Sequence, residues 1–78
     1  MSQFAYLVSF ELDDARDNNV SFNSLHEGYA VLLEEVDELW DEVKKKPKKR
    51  DKAKLLEELV QIGAMAQRMA EDLDLVGD

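Results

Sequence analysis

The sequence predicts an all-α fold: an antiparallel hairpin of two long helices, about 24–46 and 49–73, with a shorter helix over about 3–17. Three observations carry that expectation. Two long segments place apolar residues at 4-3-4-3-4 spacing, which is one stripe of a helix. Two breaks separate the segments: the turn-rich run Asp17–Ser24, and Pro47, which cannot continue a helix interior. Finally, 78 residues that are 45% hydrophobic and 36% charged fit one small globular domain, 1–78.

The first segment is ambiguous. Phe4, Tyr6, Val8, Phe10 and Leu12 alternate as a strand would, while Phe4, Leu7, Val8, Glu11 and Ala15 mark a helix face. A lone strand would have no partner in an otherwise helical chain, so the helix is the expected form. In the second segment the stripe is Leu25, Tyr29, Leu32, Val36, Leu39 and Val43, opened by Ser24 with Glu27 three residues on, a capping box. Lysines 44 to 46 suit the negative end of that helix. The third segment repeats the spacing with Leu55, Leu59, Ile62, Ala66, Met69 and Leu73. Gly63 lies inside it at a cost of about 1 kcal/mol against alanine, a sign of close packing there.

Composition narrows the function. Eighteen acidic against ten basic residues give a net charge of −8, the opposite of a DNA-binding footprint. With no cysteine, neither a disulfide framework nor a thiolate zinc site is available. No apolar run approaches the roughly 20 residues that span a bilayer, and the positive region that opens a signal peptide is missing. A soluble, cytoplasmic protein without a membrane partner is expected. A chain this short buries only about 60% of its unfolded surface, so self-association is the default.

The acidic residues are not scattered. With each stripe set at zero and successive residues advanced by about 100°, Glu35, Glu38 and Glu42 fall on one flank of the second helix. Lys54, Glu58 and Gln61 fall on the same-handed flank of the third. An antiparallel pair keeps such flanks on one side, with Glu38 level with Glu58 and Glu35 with Gln61. The stripe itself pairs Val36 with Leu59 and Leu32 with Ile62. Clustered carboxylates repel and resist leaving water, and a hard divalent cation such as Mg²⁺ compensates both effects. The opposite flank, with Leu33, Trp40, Leu56, Gly63 and Ala70, is apolar and calls for cover by the first helix, a second protomer or both. The same carboxylates also fit a plain solvated face, with Glu42 and Lys54 as an ordinary interhelical salt bridge.

Glu35-Val36-Asp37-Glu38, followed further on by Glu58-Leu59-Val60-Gln61, resembles the ExxE…ExxD signature of the MazG-like all-α nucleoside triphosphate pyrophosphohydrolases. The stretch from His26 to Glu35 is similar to short MazG-like proteins of bacteria and phages, and the likeness covers about 11–73. The resemblance implies a helical bundle, dimeric or tetrameric, that binds Mg²⁺ and cleaves nucleoside triphosphates to monophosphate and pyrophosphate. It implies Glu35, Glu38 and Glu58 as metal ligands, Gln61 as a fourth, Glu38 as the catalytic carboxylate and Lys54 as a phosphate contact. Gln61 departs from the signature Asp: its carbonyl still coordinates, but it brings no charge and accepts no proton. The alternative is a non-catalytic helical interaction module with a degenerate metal site.

Other residues have plainer readings. His26, the lone histidine, reads as solvated or capping. Eight of the ten basic residues lie between Lys44 and Lys54, which reads first as a solvated turn and second as a steering patch for phosphates. Trp40 and Tyr29 read as core or interface, and Met65 and Val31 as apolar neighbours for a bound base.

Overall fold

A computed structural model describes residues 2–77. Its described residues form three α-helices, α1 (Gln3–Asn18), α2 (Leu25–Val43) and α3 (Lys52–Asp72), with a 3-10 turn over Pro47–Lys49. The all-α expectation holds, and the alternating first segment is helical.

Local chemistry sets each boundary. Ser2 Oγ accepts from the Ala5 N–H to start α1. At its other end the side-chain amides of Asn18 and Asn19 donate to the Asp14 and Ala15 carbonyls. Ser24 Oγ caps α2 by accepting from the Glu27 N–H. Glu27 returns a bond one residue further out than a standard capping box, accepting from the Asn23 N–H. Helix α2 stops at Val43, three residues short of the expected end, because Arg50 closes it: both Nε and Nη2 donate to the Val43 carbonyl, at 3.0 and 2.6 Å. Lys44–Lys46 therefore belong to the turn. Pro47 starts the 3-10 turn, where a missing N–H costs nothing. Asp51 then caps α3, its Oδ1 accepting from the Ala53 and Lys54 N–H groups, so α3 starts three residues later than expected.

Helix α3 is the floor on which α1 and α2 both pack, and those two do not pack on each other. The core joins Val8, Leu12 and Ala15 of α1, Phe22 of the linker, and Val60, Ala64 and Met65 of α3. Helices α2 and α3 run antiparallel and approach closely at Gly28, where a Cβ would lie 2.8 Å from Met69 Cγ. Gly63 marks a second close approach, as its mid-helix position implied, but to α1: a Cβ there would meet Val8 Cγ2 at 3.0 Å.

One expectation is overturned. The apolar stripes do not form the buried seam of the hairpin along their whole length. Val36 and Leu59 are 41% and 44% exposed, whereas Glu58 and Glu42 are buried. Each helix is rotated so that Glu42 and Glu58 turn inward and Leu25, Tyr29, Val36 and Leu59 turn out, while Leu32, Met69 and Leu73 of the stripes stay half-buried against the core. Small residues decide this: Gly28 and Ala64 permit closer backbone approach than leucine or valine would, and α1 occupies the face of α3 beyond them. The apolar back consists of Tyr29, Leu33, Val36 and Trp40 of α2 with Leu59 of α3, all more than two-fifths exposed, while Leu56 lines a groove beside Leu7 and Phe10 of α1.

Candidate metal centre

The inward rotation brings the acids together. Glu35 and Glu38, one turn apart on α2, meet Glu58 of α3, each offering an oxygen within 4.8 Å of the others. Glu58 has no exposed surface, and neither of its carboxylate oxygens accepts a hydrogen bond; nor does Glu35 Oε2. Such groups ordinarily cost several kcal/mol each, so the cluster is stable only if something else supplies positive charge.

Lys54 supplies part of that charge. Lys54 Nζ lies 3.0 Å from Glu58 Oε1, close enough for an ion pair though off the line of a hydrogen bond. The contact lifts the ammonium above its usual range, with Glu57 adding to it. The remainder is met by protons. Burial pushes Glu35 up to about 7, with the charges of Glu38 and Glu58 reinforcing it and Glu11 adding a smaller push. Glu38 is also raised, chiefly by hydrogen bonding to the neighbouring Glu58 carboxyl, with burial and the Glu58 charge adding to it. Three clustered carboxylates, two of them raised above the usual carboxylate range, form a donor set that a divalent cation can take over. Glu35, Glu38 and Glu58 would be the residues to hold a Mg²⁺ there, and it would neutralise their mutual repulsion.

Gln61 lies one turn after Glu58 and shares a cavity wall with Glu35. That cavity, about 550 Å³, is the groove left between α1 and α2, with α3 as its floor. Val31 and Met65 line its middle, as their flank implied, and Arg68 lies at the end away from the carboxylates. Glu42, by contrast, does not pair with Lys54. It accepts from Lys45 Nζ and the Asp51 N–H, which hold it below the usual carboxylate range. Its partners come from the two sides of the turn, so it closes the hairpin and stands apart from the centre. His26 is exposed, and so are Trp40 and Tyr29, on the apolar back.

Two residues escaped the sequence. Glu11 reaches the cavity from α1 and adds its charge to Glu35; a carboxylate on an otherwise apolar helix face was the signal available. Arg68 is 6% exposed. Its guanidinium stands over the Phe22 ring at 4.1 Å, pairs with Asp72 at 3.4 Å and donates to the Val20 carbonyl. It thereby fastens the α1–α2 linker to α3 and builds the far wall. Beyond the lysine run it is the one basic residue of α3, a position that spacing alone does not distinguish.

No helix is long and apolar enough to cross a membrane among the described residues. Compared with family models, curated proteins and solved structures, the chain finds no match in any of the three.

Proposed function

We propose that this chain is a Mg²⁺-dependent nucleotide pyrophosphohydrolase of MazG-like type, cleaving nucleoside triphosphates to monophosphate and pyrophosphate. The observation that carries the reading is the fully buried Glu58, with two oxygens free of hydrogen bonds, facing Glu35 and Glu38 beside an open cavity. The Lys54 ammonium is the one cation beside Glu58 among the described residues, and the two Glu58 oxygens without hydrogen bonds keep the capacity to coordinate another.

In this reading Glu35, Glu38 and Glu58 hold Mg²⁺, with the Gln61 carbonyl as a further ligand. A bound Mg²⁺ supplies charge neutralisation at phosphate oxygens and acidifies a water for attack. The chain's own groups do the rest. Lys54, half-exposed at the rim, meets the phosphate tail. Glu38, the most exposed of the three acids, accepts the proton of the attacking water. Val31 and Met65 give the nucleoside an apolar seat. The apolar back of α2 and α3 supports a homodimer or larger homo-oligomer, which leaves the carboxylate groove open on the other side.

The test is a thermal melt with and without Mg²⁺, followed by pyrophosphate release from a nucleotide panel. The reading requires a Mg²⁺-dependent rise in Tm, pyrophosphate as product, and loss of turnover in Glu38→Gln with helicity intact. A chain that melts identically with and without Mg²⁺ is a non-catalytic helical module.

A further inference from the structure

Helix α1 carries a carboxylate whose position its own fold does not explain. Asp13, Asp14 and Asp17 are exposed, whereas Glu11 is half-buried, next to Leu12 and one turn from Val8 and Ala15 of the core. A carboxylate so placed loses hydration, at a cost unless positive charge faces it. Among the described residues no ion pair includes it. Two grooves run along α1, one toward α2 and one beside Leu56, and Glu11 and Gln61 line both. They stand between the two grooves, and Glu35 lines the first with them. Gln61 brings a carbonyl there but no charge, so the charge at this corner is that of Glu11. It reaches the centre, where it adds to the forces that raise Glu35.

We propose that Glu11 is a fourth carboxylate of the metal centre, acting on the cation from α1 beside Gln61, and that it makes the docking of α1 depend on that cation. The inference rests on the metal reading of Glu35, Glu38 and Glu58 and extends it to a helix which that reading leaves unused. Three observations carry it. The centre is already short of positive charge: both oxygens of the fully buried Glu58, and Glu35 Oε2, accept no hydrogen bond, and Lys54 is the one ammonium paired there. A further acid turned toward the same place deepens the repulsion in the metal-free chain and strengthens the hold on a divalent cation. Packing fixes that orientation. Val8 lies against Gly63, and Leu12 and Ala15 sit in the core, so α1 cannot roll Glu11 away from α3. Finally, α1 and α2 both pack on α3 and not on each other. An attraction at Glu11 would therefore join two helices that otherwise meet only through their linker and their common floor.

The experiment melts the full chain at pH 8 across a Mg²⁺ titration, in the parent, Glu11→Gln and Asp13→Asn. The last variant removes the same charge from the exposed side of α1. The midpoint of the Mg²⁺-dependent rise in Tm is expected to move roughly tenfold to a hundredfold higher in Glu11→Gln. In Asp13→Asn it stays within about twofold of the parent, because an exposed charge is screened. In EDTA, Glu11→Gln melts at or above the parent, since a repulsion is gone; a lower Tm there marks a structural carboxylate and overturns the proposal. Hydrogen exchange supplies the second readout: Mg²⁺ at the parent's midpoint slows the Leu12–Ala15 amides of the parent and leaves those of Glu11→Gln unchanged. A midpoint that Glu11→Gln leaves in place, or that Asp13→Asn moves as far, overturns the role of Glu11 while the three-carboxylate centre stands. A parent whose Tm ignores Mg²⁺ removes the centre and this role together.

Discussion

At the scale of single residues, Glu35 links the site to stability. Its folded pKa of about 7 stands above the ordinary carboxylate value of 4.5. A raised acid contributes stability that is fully present below the unfolded value and is lost as pH rises through the folded one. The metal-free chain therefore weakens between about pH 4.5 and 7. The whole shift corresponds to about 3 kcal/mol, and solvent reaching this half-open site screens it to on the order of 1 kcal/mol. Glu35→Gln removes the proton linkage. Thermal melts at pH 5 and pH 8 are expected to show the variant gaining on the parent at pH 8 only, and losing the Mg²⁺-dependent rise there. A second residue tests backbone strain away from the site. Helix α3 ends in a Schellman turn, with Leu75 N–H bonded to the Ala70 carbonyl and Asp74 N–H to that of Glu71. Its left-handed position is occupied by Asp74 at φ 58°, where glycine is the unstrained residue. Asp74→Gly is expected to stabilise by about 0.5–1 kcal/mol, read as a Tm higher by a few degrees.

At the scale of elements, the linker depends on one buried ion pair. Arg68 and Asp72, each with a side chain 7% exposed, hold residues 20–22 from both sides: Arg68 donates to the Val20 carbonyl and Asp72 accepts from the Phe22 N–H. Arg68→Met keeps the stem near the Phe22 ring but leaves Asp72 without its buried partner. Urea unfolding is expected to show a loss of about 2–4 kcal/mol, and the double variant with Asp72→Asn to recover part of it. The elements themselves were legible in the sequence. Their stripes, the Ser24 cap and the Pro47 break all act within a few residues, where propensity and capping chemistry decide. The level at which Glu38 and Glu58 meet was legible too, since antiparallel helices share one rise per residue. The rotation of the helices was not. Sequence reading gave the widest apolar stripe to the intrachain core, whereas Gly28 and Ala64 let backbones approach on the acidic flank, and α1 claimed the rest of α3. Neither Glu11 nor Arg68 stood out, because each gains its role from a segment distant in sequence.

At the scale of the whole molecule, the surface is too large for the mass. A compact 9.0 kDa protein exposes about 4,850 Å², and this chain exposes 5784 Å². Its radius of gyration is 13.5 Å, where about 11.5 Å is typical of 78 residues. The excess of roughly 900 Å² matches the area one partner contributes to a standard interface, about 800 Å². The apolar back, with Trp40 58% and Tyr29 60% exposed, is the face that the proposed self-association would cover. The proposed self-association through this face predicts a solution mass of a multiple of 9.0 kDa by light scattering. Val36→Asp combined with Trp40→Asp, both outside the core, is expected to yield monomer. Because a small chain that loses its partner also loses stability, the variant's melting temperature should become independent of protein concentration while the parent's rises with it. A parent that scatters as a monomer with a concentration-independent Tm would leave this face without a role in assembly.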